Sequence, residues 1–80
     1  MLKIGLLWEE HDPKVKFDQR IEEGTSRYTE RMGTQPNVCI VNAKELPVQD
    51  KMGIRFIAGK IAVNHYMFGL SADLDESATL

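Results

Sequence analysis

Residues 31–42 read RMGTQPNVCIVN, and this stretch decides the fold because it contains a helix end, a loop and a buried strand. Gly33 suits the left-handed backbone that commonly ends a helix, and Pro36 prevents the helix from continuing. The apolar residues Val38–Val41 are typical of a strand that is buried on both faces. The stretch therefore predicts a helix that ends at Gly33, followed by the central strand of a sheet.

Upstream of this stretch, apolar residues recur at spacings of three and four and predict one long amphipathic helix. The residues of this stripe are Phe17, Ile21, Gly24, Tyr28 and Met32. Asp12 and Pro13 predict the helix start, because Asp caps the free N–H groups and Pro fits the first helical position. Gly24 costs about 1 kcal/mol relative to Ala, so we expect close approach of helix and sheet there. Charged residues, Arg20 among them, are expected to cover the exposed side.

Three further segments, residues 2–8, 52–58 and 65–70, have the alternating apolar pattern of strands. The resulting order β-α-β-β-β predicts an α+β fold, with one long helix packed on one face of a small three- or four-stranded mixed sheet. We expect a crossover between the first two strands, followed by a hairpin. Residues 1–72 are assigned to a single domain and residues 73–80 to a disordered acidic tail.

Composition and charge limit the classes of function. The chain has 80 residues, of which 42% are hydrophobic and 28% are charged, and its formal net charge is −2. Its 10 basic residues are scattered among 12 acidic ones, which argues against a surface for nucleic-acid phosphates. A single cysteine cannot form an internal disulfide, and no apolar stretch approaches the roughly 20 residues that span a bilayer. We therefore expect a cytoplasmic protein that does not bind membranes, and the charge balance disfavours nucleic acids as partners.

A single helix covers only one face of the predicted sheet. The other face is expected to stay partly open, lined by Leu7, Cys39 and Val41. An apolar sheet face without a second layer commonly meets another subunit. The sequence therefore predicts a homodimer.

Few side chains in this sequence suggest chemistry. Cys39 lies inside the apolar strand, so we interpret it as a buried structural residue rather than a reactive thiol. Residues 9–12 are of more interest, because they follow the first strand at the sheet end where ligands tend to bind. The candidate binding residues are Trp8, Glu9, Glu10, His11, Asp12, His65 and Tyr66.

Three of these candidates are also possible metal ligands. His11, Asp12 and His65 have side chains that bind divalent metal ions. In the competing interpretation Asp12 is a helix cap, and the two histidines are ordinary polar residues. No catalytic residue is assigned, and no cofactor is expected.

Two motifs resemble those of a family of small bacterial proteins of unknown function. Residues 33–41 fit the pattern GxxPNxCxV, and residues 64–69, NHYMFG, are similar to a second pattern, NHFWxG. The likeness covers roughly residues 14–70, and Ala43 stands where the family has proline. Both motifs are structural, and the resemblance implies no activity.

The sequence favours a non-enzymatic protein-interaction module that self-associates through its sheet. The alternative is a small metal-dependent or hydrolytic enzyme that uses residues 9–12 and His65, and nucleic-acid binding is a weaker third candidate. The distance between the imidazoles of His11 and His65 discriminates between the first two candidate functions. Imidazoles of His11 and His65 that share an ion with a carboxylate must lie within about 8 Å, because Zn–N bonds are about 2 Å long.

Overall fold

The computed structural model describes residues 4–74, which form four strands and one α-helix. In chain order these elements are β1 (Gly5–Glu9), α1 (Phe17–Met32), β2 (Val38–Val41), β3 (Arg55–Ala58) and β4 (His65–Gly69). Short 3₁₀ helices lie at Ala43–Glu45 and Ser71–Asp73. The helix packs against a four-stranded mixed sheet, so the predicted α+β fold is confirmed.

The strands lie in the order β1-β4-β2-β3. β4 is antiparallel to both β1 and β2, whereas β3 runs parallel to β2. The predicted hairpin is therefore wrong, because β3 and β4 lie on opposite sides of β2. The connection between them packs Ile61 against the sheet, and Asn42 Nδ2 donates a hydrogen bond to Ile61 O (2.8 Å). A tight hairpin turn cannot cross β2 in this way.

The helix begins at Phe17, later than the sequence predicts. Asp12 Oδ1 accepts a hydrogen bond from the N–H of Lys14 (2.9 Å), and Asp12 O accepts one from the N–H of Val15 (3.1 Å). Asp12 therefore caps a separate turn. The N-cap of α1 is Lys16, which makes no side-chain cap hydrogen bond.

The C-terminal end of α1 and its close approach to the sheet follow the prediction. Gly33 has a φ of 77°, and its N–H donates to Thr29 O (2.9 Å). Gly24 faces the ring of Phe68, and a Cβ at Gly24 would lie 2.5 Å from Cζ of that ring. The missing side chain therefore permits α1 to lie directly on β4.

The main core lies between α1 and the sheet. Its buried side chains are Ile21, Tyr28, Cys39, Val41, Ile54, Phe56, Tyr66 and Phe68. Cys39 and Val41 belong to this core, so the prediction that they line the opposite face is wrong. Because side chains alternate along a strand, Val38 and Ile40 occupy the opposite face instead.

The face opposite α1 is better covered than the sequence predicts. On this face the β2 side chains of Val38 and Ile40 have 0% exposure. Ile61 and Leu74, which lie outside the strands, pack against them. Leu7 lies on the same face, because it is the cross-strand partner of Met67 in this second cluster. Leu7 is 45% exposed, so open apolar surface remains on the β1 side.

Residues 1–3 and 75–80 lie outside the described part of the chain. The start of the predicted first strand and most of the predicted tail fall on them, so the tail at residues 73–80 stays a prediction. Leu74, which is described, packs against the second cluster. Among residues 4–74, no helix is long and apolar enough to cross a membrane.

Candidate metal centre and the open edge of the sheet

Glu9 and His65 face each other where β1 ends and β4 begins. The two residues are direct partners in the antiparallel register of these strands. Glu9 Oε1 lies 3.5 Å from Nε2 of His65, and Glu9 Oε2 lies 3.3 Å from Nε2 of His11. One carboxylate thus lies between two imidazoles.

His11 reaches this carboxylate from the loop that follows β1. Its ring centroid is 5.5 Å from that of His65, and the two rings are nearly perpendicular at 80°. One donor atom from each of Glu9, His11 and His65 can be chosen so that all three lie within 4.8 Å of one another. The two imidazoles therefore meet the distance condition that the sequence imposed on a shared ion.

The carboxylate in this cluster comes from Glu9, whereas the sequence proposed Asp12 as a metal ligand. Glu9 is the last residue of β1, and its pairing with His65 depends on a strand register that the sequence does not reveal. Asp12 is occupied by the turn before α1. The spacing of two between Glu9 and His11 is the available sequence signal, since residues i and i+2 lie on one side of an extended chain.

The position of the ring hydrogen on His65 follows from its neighbours. Nδ1 of His65 lies 3.1 Å from the backbone oxygen of Val63. Because a carbonyl oxygen can only accept, Nδ1 carries the hydrogen and donates it. In the neutral ring Nε2 then has a free lone pair, and this is the atom next to Glu9. Histidines that bind metals commonly donate their other N–H to a carbonyl in the same way.

A buried arginine joins the two segments that carry the imidazoles. Arg20 is 7% exposed, and its guanidinium donates to the backbone oxygens of Asp12 (2.8 Å) and Val15 (2.9 Å) in the loop after β1. The same group donates to Asn64 Oδ1 (2.8 Å) and to the hydroxyl of Tyr66 (3.0 Å) at the start of β4. One side chain therefore fixes the loop relative to the strand.

Arg20 was predicted to lie on the exposed side of the helix, and this prediction is wrong. Its spacing, three residues after Phe17 and four before Gly24, places it beside the apolar stripe and was the available signal. Asn64 strengthens the same connection, because its backbone oxygen accepts a hydrogen bond from the N–H of Glu10 (3.0 Å).

The remaining binding candidates lie elsewhere. Trp8 and Tyr66 are on the α1 side of the sheet, and Tyr66 is fully buried. Burial raises the pKa of Tyr66, against the opposing effect of its hydrogen bond from Arg20. Glu10 Oε2 accepts a hydrogen bond from the N–H of Asp12 (3.2 Å), so Glu10 contributes to the shape of the loop.

Cys39 has 0% exposure, in agreement with its interpretation as a structural residue. Burial raises the pKa of its thiol, which disfavours the reactive thiolate.

A second feature of the surface is the open edge of β1. This strand is at the end of the strand order within residues 4–74, and a groove of about 390 Å³ runs between it and α1. The groove is lined by Leu6, Leu7, Trp8, Arg27, Glu30 and Arg31. The guanidinium of Arg27 lies 6.0 Å from the ring centroid of Trp8, within cation–π range.

Comparison of the chain with protein-family models, with curated proteins and with solved structures gave no match. The resemblance to a family of small bacterial proteins stays an expectation.

Proposed function

We propose that the protein is a small non-enzymatic interaction module that self-associates through its sheet, at the outer edge of β1. The observation that supports this proposal is the position of β1 at the end of the described sheet, beside a groove. The outer backbone N–H and C=O groups of an edge strand are available to pair with another chain. Leu7, at the centre of β1, adds apolar surface because it is 45% exposed.

A second copy fits this edge as an antiparallel strand related by a two-fold axis through Leu7. In that register Leu7 faces its own counterpart, Leu6 faces Trp8 of the second copy, and Gly5 faces Glu9. The pairing places apolar residues at the centre. It also places a glycine opposite Glu9, so the carboxylate keeps its access to the histidines.

The charges of the groove are compatible with this arrangement. Arg27, Glu30 and Arg31 line the groove from α1. An antiparallel pairing of the β1 strands keeps both helices on one face of the continuous sheet and reverses their directions. Each copy then brings charges of both signs from α1 to the same side of the seam, and opposite charges across an interface favour the correct partner.

Sedimentation velocity across the micromolar range tests the proposal, with Leu7→Lys as the disruptive variant. Burial of a whole Leu side chain contributes about 1.5–3 kcal/mol, so the exposed 45% of Leu7 represents about 1 kcal/mol per copy. Loss of both contributions, about 2 kcal/mol, raises the dissociation constant of the dimer about 30-fold.

Met52→Lys is the matched control, because Met52 is 48% exposed and lies outside β1. It should leave the dimer unchanged. A wild-type protein that sediments as a monomer throughout, or a Leu7→Lys variant that associates as well as the wild type, would contradict the proposal.

A metal-dependent enzyme is the second candidate, and the cluster of Glu9, His11 and His65 favours it. Turnover of carboxylate and phosphate esters by zinc-loaded protein tests this candidate. Activity that His65→Gln abolishes would support it, and rates equal to those of free zinc would exclude it for these substrates.

We further place the protein in the cytoplasm, since its single cysteine forms no disulfide within the chain.

A further inference from the structure

We propose that Glu9, His11 and His65 bind one divalent transition-metal ion, for which zinc is the reference. The first argument is distance. Ligand atoms that surround a tetrahedral zinc at about 2.0–2.1 Å lie roughly 3.3–3.4 Å from one another. Glu9 Oε2 lies 3.3 Å from Nε2 of His11, and Glu9 Oε1 lies 3.5 Å from Nε2 of His65. One donor atom from each of the three residues can be chosen so that all three lie within 4.8 Å of one another, so side-chain rotation that brings these donors closer together completes the site.

The second argument is electrostatic. Because Nδ1 of His65 donates its hydrogen to Val63 O, the lone pair of Nε2 in the neutral ring lies 3.5 Å from a carboxylate oxygen. Two acceptors that face each other repel, and a cation between them removes the repulsion. A proton on Nε2 also removes this repulsion, but one proton is shared by only two of these lone pairs. A metal ion can bind the lone pair of His11 Nε2 as well.

The third argument is that the fold holds in place the backbone segments that carry the donors. The β1–β4 register positions Glu9 opposite His65. The Arg20 guanidinium fixes the loop that carries His11 through the backbone oxygen of Asp12 (2.8 Å), and it fixes the start of β4 through Asn64 Oδ1 (2.8 Å). Ligands held by surrounding hydrogen bonds bind a metal with a smaller loss of conformational freedom.

The donor set determines the class of ion. Two imidazoles and one carboxylate suit zinc and the neighbouring late transition metals, whereas Mg²⁺ and Ca²⁺ prefer oxygen ligands. The side chains of His11 and Glu9 are 60% and 53% exposed, so an ion enters from solvent. With three protein ligands, a tetrahedral ion keeps one position for water.

Isothermal titration of the folded protein with zinc chloride tests the proposal. We expect one zinc ion per chain in the wild type. His11→Gln and His65→Gln should each raise the dissociation constant by about 100-fold or more, since loss of even an outer hydrogen-bond partner costs 10–100-fold. Magnesium chloride should give no binding.

Asp12→Asn is the matched control. It removes an exposed carboxylate beside the cluster and keeps the side-chain oxygen that accepts the N–H of Lys14. Its zinc affinity should equal that of the wild type, and circular dichroism should confirm that every variant is folded.

Nitrogen chemical shifts of the two histidines provide a second measurement. Zinc should shift the Nε2 signals of both His11 and His65 at constant pH. Wild-type protein that gives neither heat nor shift with zinc, or zinc binding that neither histidine substitution weakens, would overturn the proposal. A response of both rings to pH with none to zinc would assign a proton to the site and would equally overturn it. Titration of Leu7→Lys in parallel separates this result from the outcome for self-association.

Discussion

Replacement of Gly24 by Ala tests the closest contact between α1 and the sheet. At most helix positions this substitution stabilises a protein, because Ala is favoured over Gly by about 1 kcal/mol. At Gly24 the added Cβ would lie 2.5 Å from Cζ and 3.1 Å from Cδ2 of Phe68. The Phe68 ring has 0% exposure, so it cannot turn away without displacing other core side chains.

These two effects have opposite signs, and their magnitudes decide the result. Insertion of extra atoms into a packed core costs about 1–3 kcal/mol, and the short distances at Gly24 place this case at the upper end. After the helix-propensity gain is subtracted, the free energy of unfolding should fall by about 2 kcal/mol. For a domain of this length the corresponding loss in Tm is about 8–16 °C.

Urea unfolding followed by circular dichroism measures this change. Ser26→Ala is the control, because Ser26 is exposed on the same helix and its substitution should change stability by a few tenths of a kcal/mol at most. A double-mutant cycle with Phe68→Leu should give a coupling of about 1 kcal/mol or more, since the smaller side chain relieves the clash. A Gly24→Ala protein as stable as the wild type would refute the close approach of helix and sheet.

Two further substitutions address buried polar groups. Arg20→Met should leave the chain folded by circular dichroism and raise the zinc dissociation constant by about 10–100-fold in calorimetry, because the loop and β4 lose their common hydrogen-bond donor. Burial raises the pKa of the Cys39 thiol, so the folded state retains that proton at pH values where the unfolded chain releases it. Stability should therefore be full below about pH 8.5 and fall by up to about 1.4 kcal/mol per unit between about pH 8.5 and 10. Urea titrations over this range should find a smaller slope in Cys39→Ala, where buried tyrosines such as Tyr66 still contribute near pH 10, and an equal slope in both proteins would contradict the assignment to Cys39.

The sequence predicts those parts of the fold that depend on neighbouring residues. Gly33 ends α1 because its own backbone adopts a positive φ, and Val38–Val41 forms a buried strand because all four side chains are apolar. Gly24 was recognisable because a glycine on an apolar stripe needs a close partner. The start of α1 was missed, since Asp12 can cap either a helix or a separate turn with the same side-chain hydrogen bond.

Strand order and the composition of the candidate site depend on contacts between distant residues. The insertion of β4 between β1 and β2 creates the pairing of Glu9 with His65, and no local pattern encodes that register. The sequence identified both histidines and listed Glu9 among the binding candidates, but it proposed Asp12 rather than Glu9 as the metal-ligating carboxylate. Arg20 was missed for the same reason, because its acceptor Asn64 is 44 residues away along the chain.

The burial of Arg20 also has a consequence for the relation between stability and function. A guanidinium loses strong hydration when it is buried, and among residues 4–74 Arg20 meets neutral oxygen acceptors rather than a carboxylate. Replacement of such a buried charge by an apolar side chain is often neutral or stabilising. Stability alone therefore does not explain an arginine at this position. Its four hydrogen bonds fix the loop that carries His11 against the start of β4, where His65 lies. Placement of the two imidazoles around Glu9 is thus the property that Arg20 supplies and an apolar residue would not.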